Sequence, residues 1–199
     1  MIELFVILTV LALIAVALLP IIAKHKARTP RNTCVANLGQ IAVAFRIWAN
    51  DHQERFPWHV STNEGGTLEW ATSTDIYRHF LAVSNQLKSP RILSCPADNH
   101  RWRAIEWASL SNENISYFVA LDANETKPSG LLAGDRFVST NNQVLSGIVV
   151  VTNSQMLQWL TEGHVRMGNA VMADGSVVAL TTDSLRKAFS NRTVRLAIP

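Results

Sequence analysis

Residues 1–23 read MIELFVILTVLALIAVALLPIIA, apolar throughout apart from the carboxylate of Glu3 and the hydroxyl of Thr9. As a helix, the roughly 21 residues from Ile2 to Ile22 would rise about 30 Å, the hydrocarbon thickness of a bilayer, which predicts a transmembrane helix over 1–23. A signal-peptide core is shorter, about 7–15 apolar residues between a cationic start and a small-residue cleavage site. The stretch lacks those features and is expected to stay on the protein. Glu3 is costly there, about 2.5–3.5 kcal/mol for an ionised carboxylate at a bilayer centre and less near the interface. It is therefore either solvated at headgroup level or paired with a cation. Pro20 follows seventeen residues after Glu3, close to the end of the apolar run, and removes a backbone donor.

Downstream, Leu38, Ile41, Phe45 and Trp48 recur at three- and four-residue steps, with Asn37, Gln40, Arg46 and Asn50 between them. This predicts an amphipathic continuation of the helix over 24–55. Pro30 predicts a bend or break near Thr29, and Phe56-Pro57 a stop. Lys24, His25, Lys26, Arg28 and Arg31 cluster behind the apolar run, while the chain as a whole carries a modest formal charge of +3 and its remainder is close to neutral. Such a cluster meets lipid phosphates more readily than nucleic acid, which would need basic residues on the folded domain too. The positive-inside rule then puts the C-terminal part in the cytoplasm. The cysteines argue the other way. Cys34 and Cys95 are either two buried thiols or a disulfide; the disulfide is the expectation, and it requires an extracytoplasmic compartment.

The stretch from Met1-Ile2-Glu3-Leu4 to Pro20 resembles the processed N-terminus of type IV pilins and type II secretion pseudopilins, with its glutamate and, seventeen residues on, its proline. In that family the glutamate lies four residues beyond the processed terminus, so Met1 stands where the family has leucine. A Phe-Thr pair and a cationic leader, the substrate of prepilin peptidase and N-terminal methylation, are expected upstream. Further residues resemble a pilin-like subset of planctomycete and verrucomicrobial bacteria: Cys34, Asn37, Leu38 and Gln40, then Asp51, Phe56 and Pro57, then Cys95-Pro96-Ala97-Asp98. A C-terminal signature is similar too, with His164, Gly168 and Asn169, and nine residues between His164 and Asp174-Gly175. The resemblance implies assembly through Glu3 and Pro20, other pilin-like subunits and the secretion or pilus machinery as partners, and an inner-membrane anchor with a periplasmic head.

Residues 56–199 read as a globular head. Leu68 to Leu87 and His100 to Ala108 suggest helices, the second capped by Asp98. Ile115–Leu121, Leu131–Ala133, Val144–Thr152, Asn169–Ala173 and Ser176–Leu180 suggest strands, and Asp183–Phe189 a last helix. Asp174-Gly175 between apolar runs predicts a type I′ hairpin turn, with φ > 0 at both central residues. The fold class is therefore α+β: a long pilin-like helix, half membrane-spanning and half amphipathic, on a small antiparallel sheet.

Chemistry is sparse. No paired histidines on a helix, Gly-x-Ser-x-Gly, phosphate-cradling loop or cysteine cluster occurs, so neither an enzyme nor a cofactor is indicated. A strand between His164 and Asp174 keeps them apart, which favours structural roles for both. Asp122 and Asp135 lie near strand ends in loops where a calcium ion could be held, but few neighbouring oxygen ligands can be assigned, so the sequence leaves calcium binding open. The expected function is a membrane-anchored pilin-like or pseudopilin subunit that assembles through its N-terminal helix into a filament. The alternative is a membrane-tethered monomeric domain that binds a ligand, such as a glycan, through loops bearing Trp58, Trp70, Trp102 and Trp107.

Overall fold

The computed structural model describes residues 2–141, 143–152, 156–160, 162–164, 167–190 and 193–199; in the first helix the side chains of residues 2, 4, 5, 12, 15 and 17–29 are outside the description. That helix, α1 (Ile2–Asn50), runs through Pro20 and Pro30 without the expected break near Thr29. Each interior proline removes one rung of the ladder, about 3 kcal/mol. Beyond Pro30 this cost is offset by burial of Cys34, Leu38, Ile41, Ala42, Phe45, Trp48 and Ala49, a stripe at helical spacing. The helix ends at Asn50, ahead of Phe56-Pro57, because Gln53 and Glu54 take positive φ (61° and 59°) and Glu54 N–H turns back to the Ala49 carbonyl at 2.9 Å.

The membrane reading is corrected. Among the described residues no helix is long and apolar enough to cross a membrane. The transmembrane assignment of 1–23, the single-pass topology and the inner-membrane localisation with a periplasmic head fall with it.

The next segment is mostly turns. The helix expected over Leu68–Leu87 is replaced by one 3₁₀ turn and two short helices, α2 (Tyr77–Leu81) and α3 (Ser84–Leu87). Polar residues compete with the helix there: the Ser73 hydroxyl accepts from Asp75 N–H at 3.1 Å. The helix expected over His100–Ala108 is absent apart from a 3₁₀ turn at Trp107–Ser109, since the Asp98 carboxylate is occupied by Arg136 as well as by His100 N–H.

The remainder is β-rich, which corrects the small sheet of the expected α+β class. The strands are β1 (Tyr117–Ala120), β2 (Leu131–Asp135), β3 (Val138–Thr140), β4 (Gln143–Val144), β5 (Gly147–Val151), β6 (Leu157–Trp159), β7 (Met167–Met172), β8 (Val177–Thr181) and β9 (Val194–Ile198), with α4 (Thr182–Ala188) before the last. Six form one antiparallel sheet in the order β5-β9-β1-β2-β7-β8, and three a second in the order β4-β3-β6. The run expected as one strand over Val144–Thr152 divides between the sheets just before Gly147, whose φ is +77°. Every residue of β1 and β2 is buried, so the middle of the large sheet is covered on both faces. The lower half of α1 packs against β2, β7 and β8.

The β7–β8 turn differs from the expected type I′. Only Gly175 has positive φ (+89°), and Met172 N–H reaches the Ser176 carbonyl at 2.9 Å across Ala173, Asp174 and Gly175. This is a three-residue loop with a left-handed glycine at its end. The Asp174 carboxylate accepts from the Ser176 N–H (2.8 Å) and hydroxyl (2.6 Å), which leaves Asp174 no need for a left-handed backbone.

Candidate functional site

Two features of α1 stand out: an apolar upper half in the open and a buried polar knot at the foot of the helix. In the upper half Val6, Ile7, Leu8, Val10, Leu11, Leu13, Ile14 and Val16 are all exposed, Leu13 to 70%. At 100° per residue these positions point in every direction around the axis. Glu3 lies in the first turn and is exposed, where a carboxylate complements the positive end of the helix dipole. Pro20 is in α1; its side chain, like those of Lys24, His25, Lys26 and Arg28, lies outside the described residues.

The knot begins on the turns that face the head. Cys34 is bonded to Cys95 across a sequence separation of 61 residues. One turn on, Asn37 Nδ2 donates to the Ser94 carbonyl and the Tyr117 hydroxyl, both at 3.4 Å. One turn back, Arg31 Nε donates to Asn169 Oδ1 at 3.4 Å. Asn169 in turn donates to Asp135 Oδ2 through its backbone N–H (2.7 Å) and its Nδ2 (2.9 Å). His164 Nε2 lies 3.5 Å from Cys95 Sγ and 3.6 Å from Asp135 Oδ2. Below the disulfide, Arg136 grips Asp98 with two bonds of 2.7 and 3.0 Å.

Burial sets the charges. Complete desolvation pushes the Asp135 carboxyl up to about 7, despite the two bonds from Asn169. Burial, reinforced by the Arg31 charge, lowers the His164 pKa, so at neutral pH this imidazole is uncharged and its contact with Asp135 is not an ion pair. Burial also opposes ionisation of Asp98, but the Arg136 fork outweighs it and holds that carboxyl below the usual range.

The residues of the C-terminal signature separate. His164 sits at the disulfide, while Asp174 lies beyond the far end of β7, where Arg46 Nη1 donates to its carbonyl at 2.7 Å and Arg46 Nε pairs with Glu125 at 3.1 Å. Gly168 and Asn169 lie between them, in β7. A Cβ on Gly168 would stand 2.5 Å from the Trp159 ring, so the glycine admits that ring against the strand. On Gly175 it would stand 3.2 Å from Arg46 Nη1. His164 and Asp174 share no site. Neither do Asp122 and Asp135: Arg195 clamps the first at 2.9 Å and Asn169 holds the second.

Reading the sequence missed Arg31, which it grouped with interfacial cations, and Asp135 as a partner of His164. The available signal was spacing, since positions 31, 34 and 37 fall on one helix face and Cys34 fixes that face as inward. Of the loop tryptophans, Trp58 is buried, Arg78 covers the ring of Trp70 at 3.7 Å, and Trp102 is exposed to 68%. No protein-family model matches the chain, and neither a curated protein nor a solved structure matches it.

Proposed function

We propose that the protein is a structural subunit that self-associates through the upper half of α1 into a pilin-like or pseudopilus-like filament. The observation that carries this reading is the set of apolar side chains from Val6 to Val16, exposed on all sides of a helix whose lower half is locked into the head. A helix that is apolar all round requires cover all round. Equivalent helices of other copies supply it symmetrically, with axes about 8–10 Å apart, while the heads face outward. Glu3 is the one carboxylate in this half of the helix, and in such a core it needs a cation from a neighbouring copy. The resemblance to pilin-like proteins names the neighbour's N-terminal amine for that role.

Removing one partner of a buried ion pair costs roughly 3–5 kcal/mol, because the other charge is left alone. Glu3→Leu is therefore expected to fold normally in the head yet fail to enter assemblies when expressed beside the wild-type chain. Equal incorporation of the two, at matched levels, rejects an assembly role for Glu3.

A further inference from the structure

The polar groups around the disulfide exceed what a structural cross-link requires. A disulfide needs no imidazole beside it and no buried carboxylate, yet both are here, together with arginine and asparagine behind them. The Cys34, Cys95 and His164 ligand atoms lie within 4.8 Å of one another, all buried. Asp135, 2% exposed, has one oxygen, Oδ1, with no hydrogen-bond partner. We propose that reduction of the Cys34–Cys95 bond opens a buried site for one zinc ion, held by the two thiolates, His164 and Asp135.

The spacing suits the ion. Zinc bonds of about 2.0–2.3 Å in a tetrahedron place neighbouring ligand atoms about 3.3–3.8 Å apart. His164 Nε2 is 3.5 Å from Cys95 Sγ and 3.6 Å from Asp135 Oδ2, so these two edges need little adjustment; the two sulfurs must part to a similar distance, and the Asp135 carboxylate, which lies outside the 4.8 Å group of Cys34, Cys95 and His164, must turn towards them. The outer groups are in place as well. Asn169 orients the carboxylate, and Arg31, bonded to Asn169, carries the positive charge that balances a site with three anionic ligands.

The chemistry is gated by oxidation state. In the disulfide both sulfurs are spent on each other and neither is a thiolate. A dithiol reductant delivers two electrons and two protons, becoming a disulfide itself and leaving two cysteine thiols. Zinc then displaces both thiol protons to solvent. Either cross-link ties α1 to the head, so the helix stays anchored under oxidising and reducing conditions alike.

The test uses the full chain, reduced with a phosphine, freed of reductant under argon, and titrated with cobalt(II) and then zinc(II). The expected result is one equivalent of cobalt bound, with thiolate charge-transfer and tetrahedral ligand-field absorption that zinc abolishes, and no binding by the oxidised chain. His164→Gln and Asp135→Asn, checked for fold by circular dichroism, should each bind at least about tenfold more weakly. Should His164→Gln not fold, His164→Cys keeps a ligand in place and should strengthen the thiolate band. A reduced chain that takes no cobalt, an oxidised chain that takes as much, variants that bind like the wild type, or an unchanged band in His164→Cys overturns the proposal.

Discussion

His79 shows how strongly burial acts on a single side chain. Its Nδ1 meets the Thr67 hydroxyl at 2.7 Å, its ring stands edge-on to Trp58 at 5.9 Å, and its Nε2 has no partner. Burial lowers its pKa from 6.5 to about 4. The unfolded chain therefore takes up a proton near pH 6.5 that the folded chain refuses until about pH 4. The stability contributed is complete above 6.5 and is lost as pH falls through that window, by up to about 3 kcal/mol. Asp135 acts with the opposite sign. Its folded pKa is raised to about 7, so its contribution is present at low pH and is lost as pH rises towards 7. Asp135 contributes equally to both chains, so denaturant titrations at pH 7 and pH 4 should show the stability of the wild type shifting unfavourably relative to that of His79→Phe on acidification; equal shifts would show that His79 is solvated in the folded state.

At the scale of elements, the link between α1 and the head is the central joint. Closing a loop of 61 residues contributes about 4 kcal/mol by restricting the unfolded chain. Replacing both cysteines, Cys34→Ala with Cys95→Ala, should lower the unfolding free energy by about that amount in a denaturant titration, while the bond from Arg31 to Asn169 keeps the helix in register. A loss well under 1 kcal/mol would mean that packing of Leu38, Ile41 and Phe45 alone anchors the helix. How far these elements were legible in the sequence depended on the kind of signal. The inward stripe from Cys34 to Trp48 repeats over four turns, and Asp174-Gly175 parts β7 from β8 with α4 following directly, so local pattern sufficed there, although the helix is capped by Thr181, one residue before the expected Thr182-Asp183. β3 and β6 are three residues each, too short for any period, and they pair only because the rest of the fold brings them together. The turn at Asp174 was misread because the dipeptide does not disclose loop length. Of the site, the cysteines and His164 were visible as motif residues. Their convergence with Asp135 was not, because it arises from the β2–β7 pairing, with Gly134 opposite Ala170, and from nothing local.

On the scale of the whole molecule, the two halves of α1 make different demands. The lower half satisfies its apolar stripe within the chain, against β2, β7 and β8, whereas the described apolar side chains of the upper half, between Val6 and Val16, are exposed. Burying an apolar side chain is worth about 1.5–3 kcal/mol, so the exposed set from Val6 to Val16 represents a strong drive to associate. We propose that this drive is met by the same helix of neighbouring copies, with Glu3 setting the register. The most direct measurement is oxidative cross-linking in cells of subunits carrying Leu13→Cys, with and without Glu3→Leu. Helices packed at filament spacing bring equivalent cysteines within the roughly 7 Å between Cα atoms that a disulfide tolerates. A cross-linked dimer is expected with Glu3 present, and its loss with Glu3→Leu at the same expression level. Monomer alone in both, or the same amount of dimer in both, would rule out helix-to-helix assembly set by Glu3.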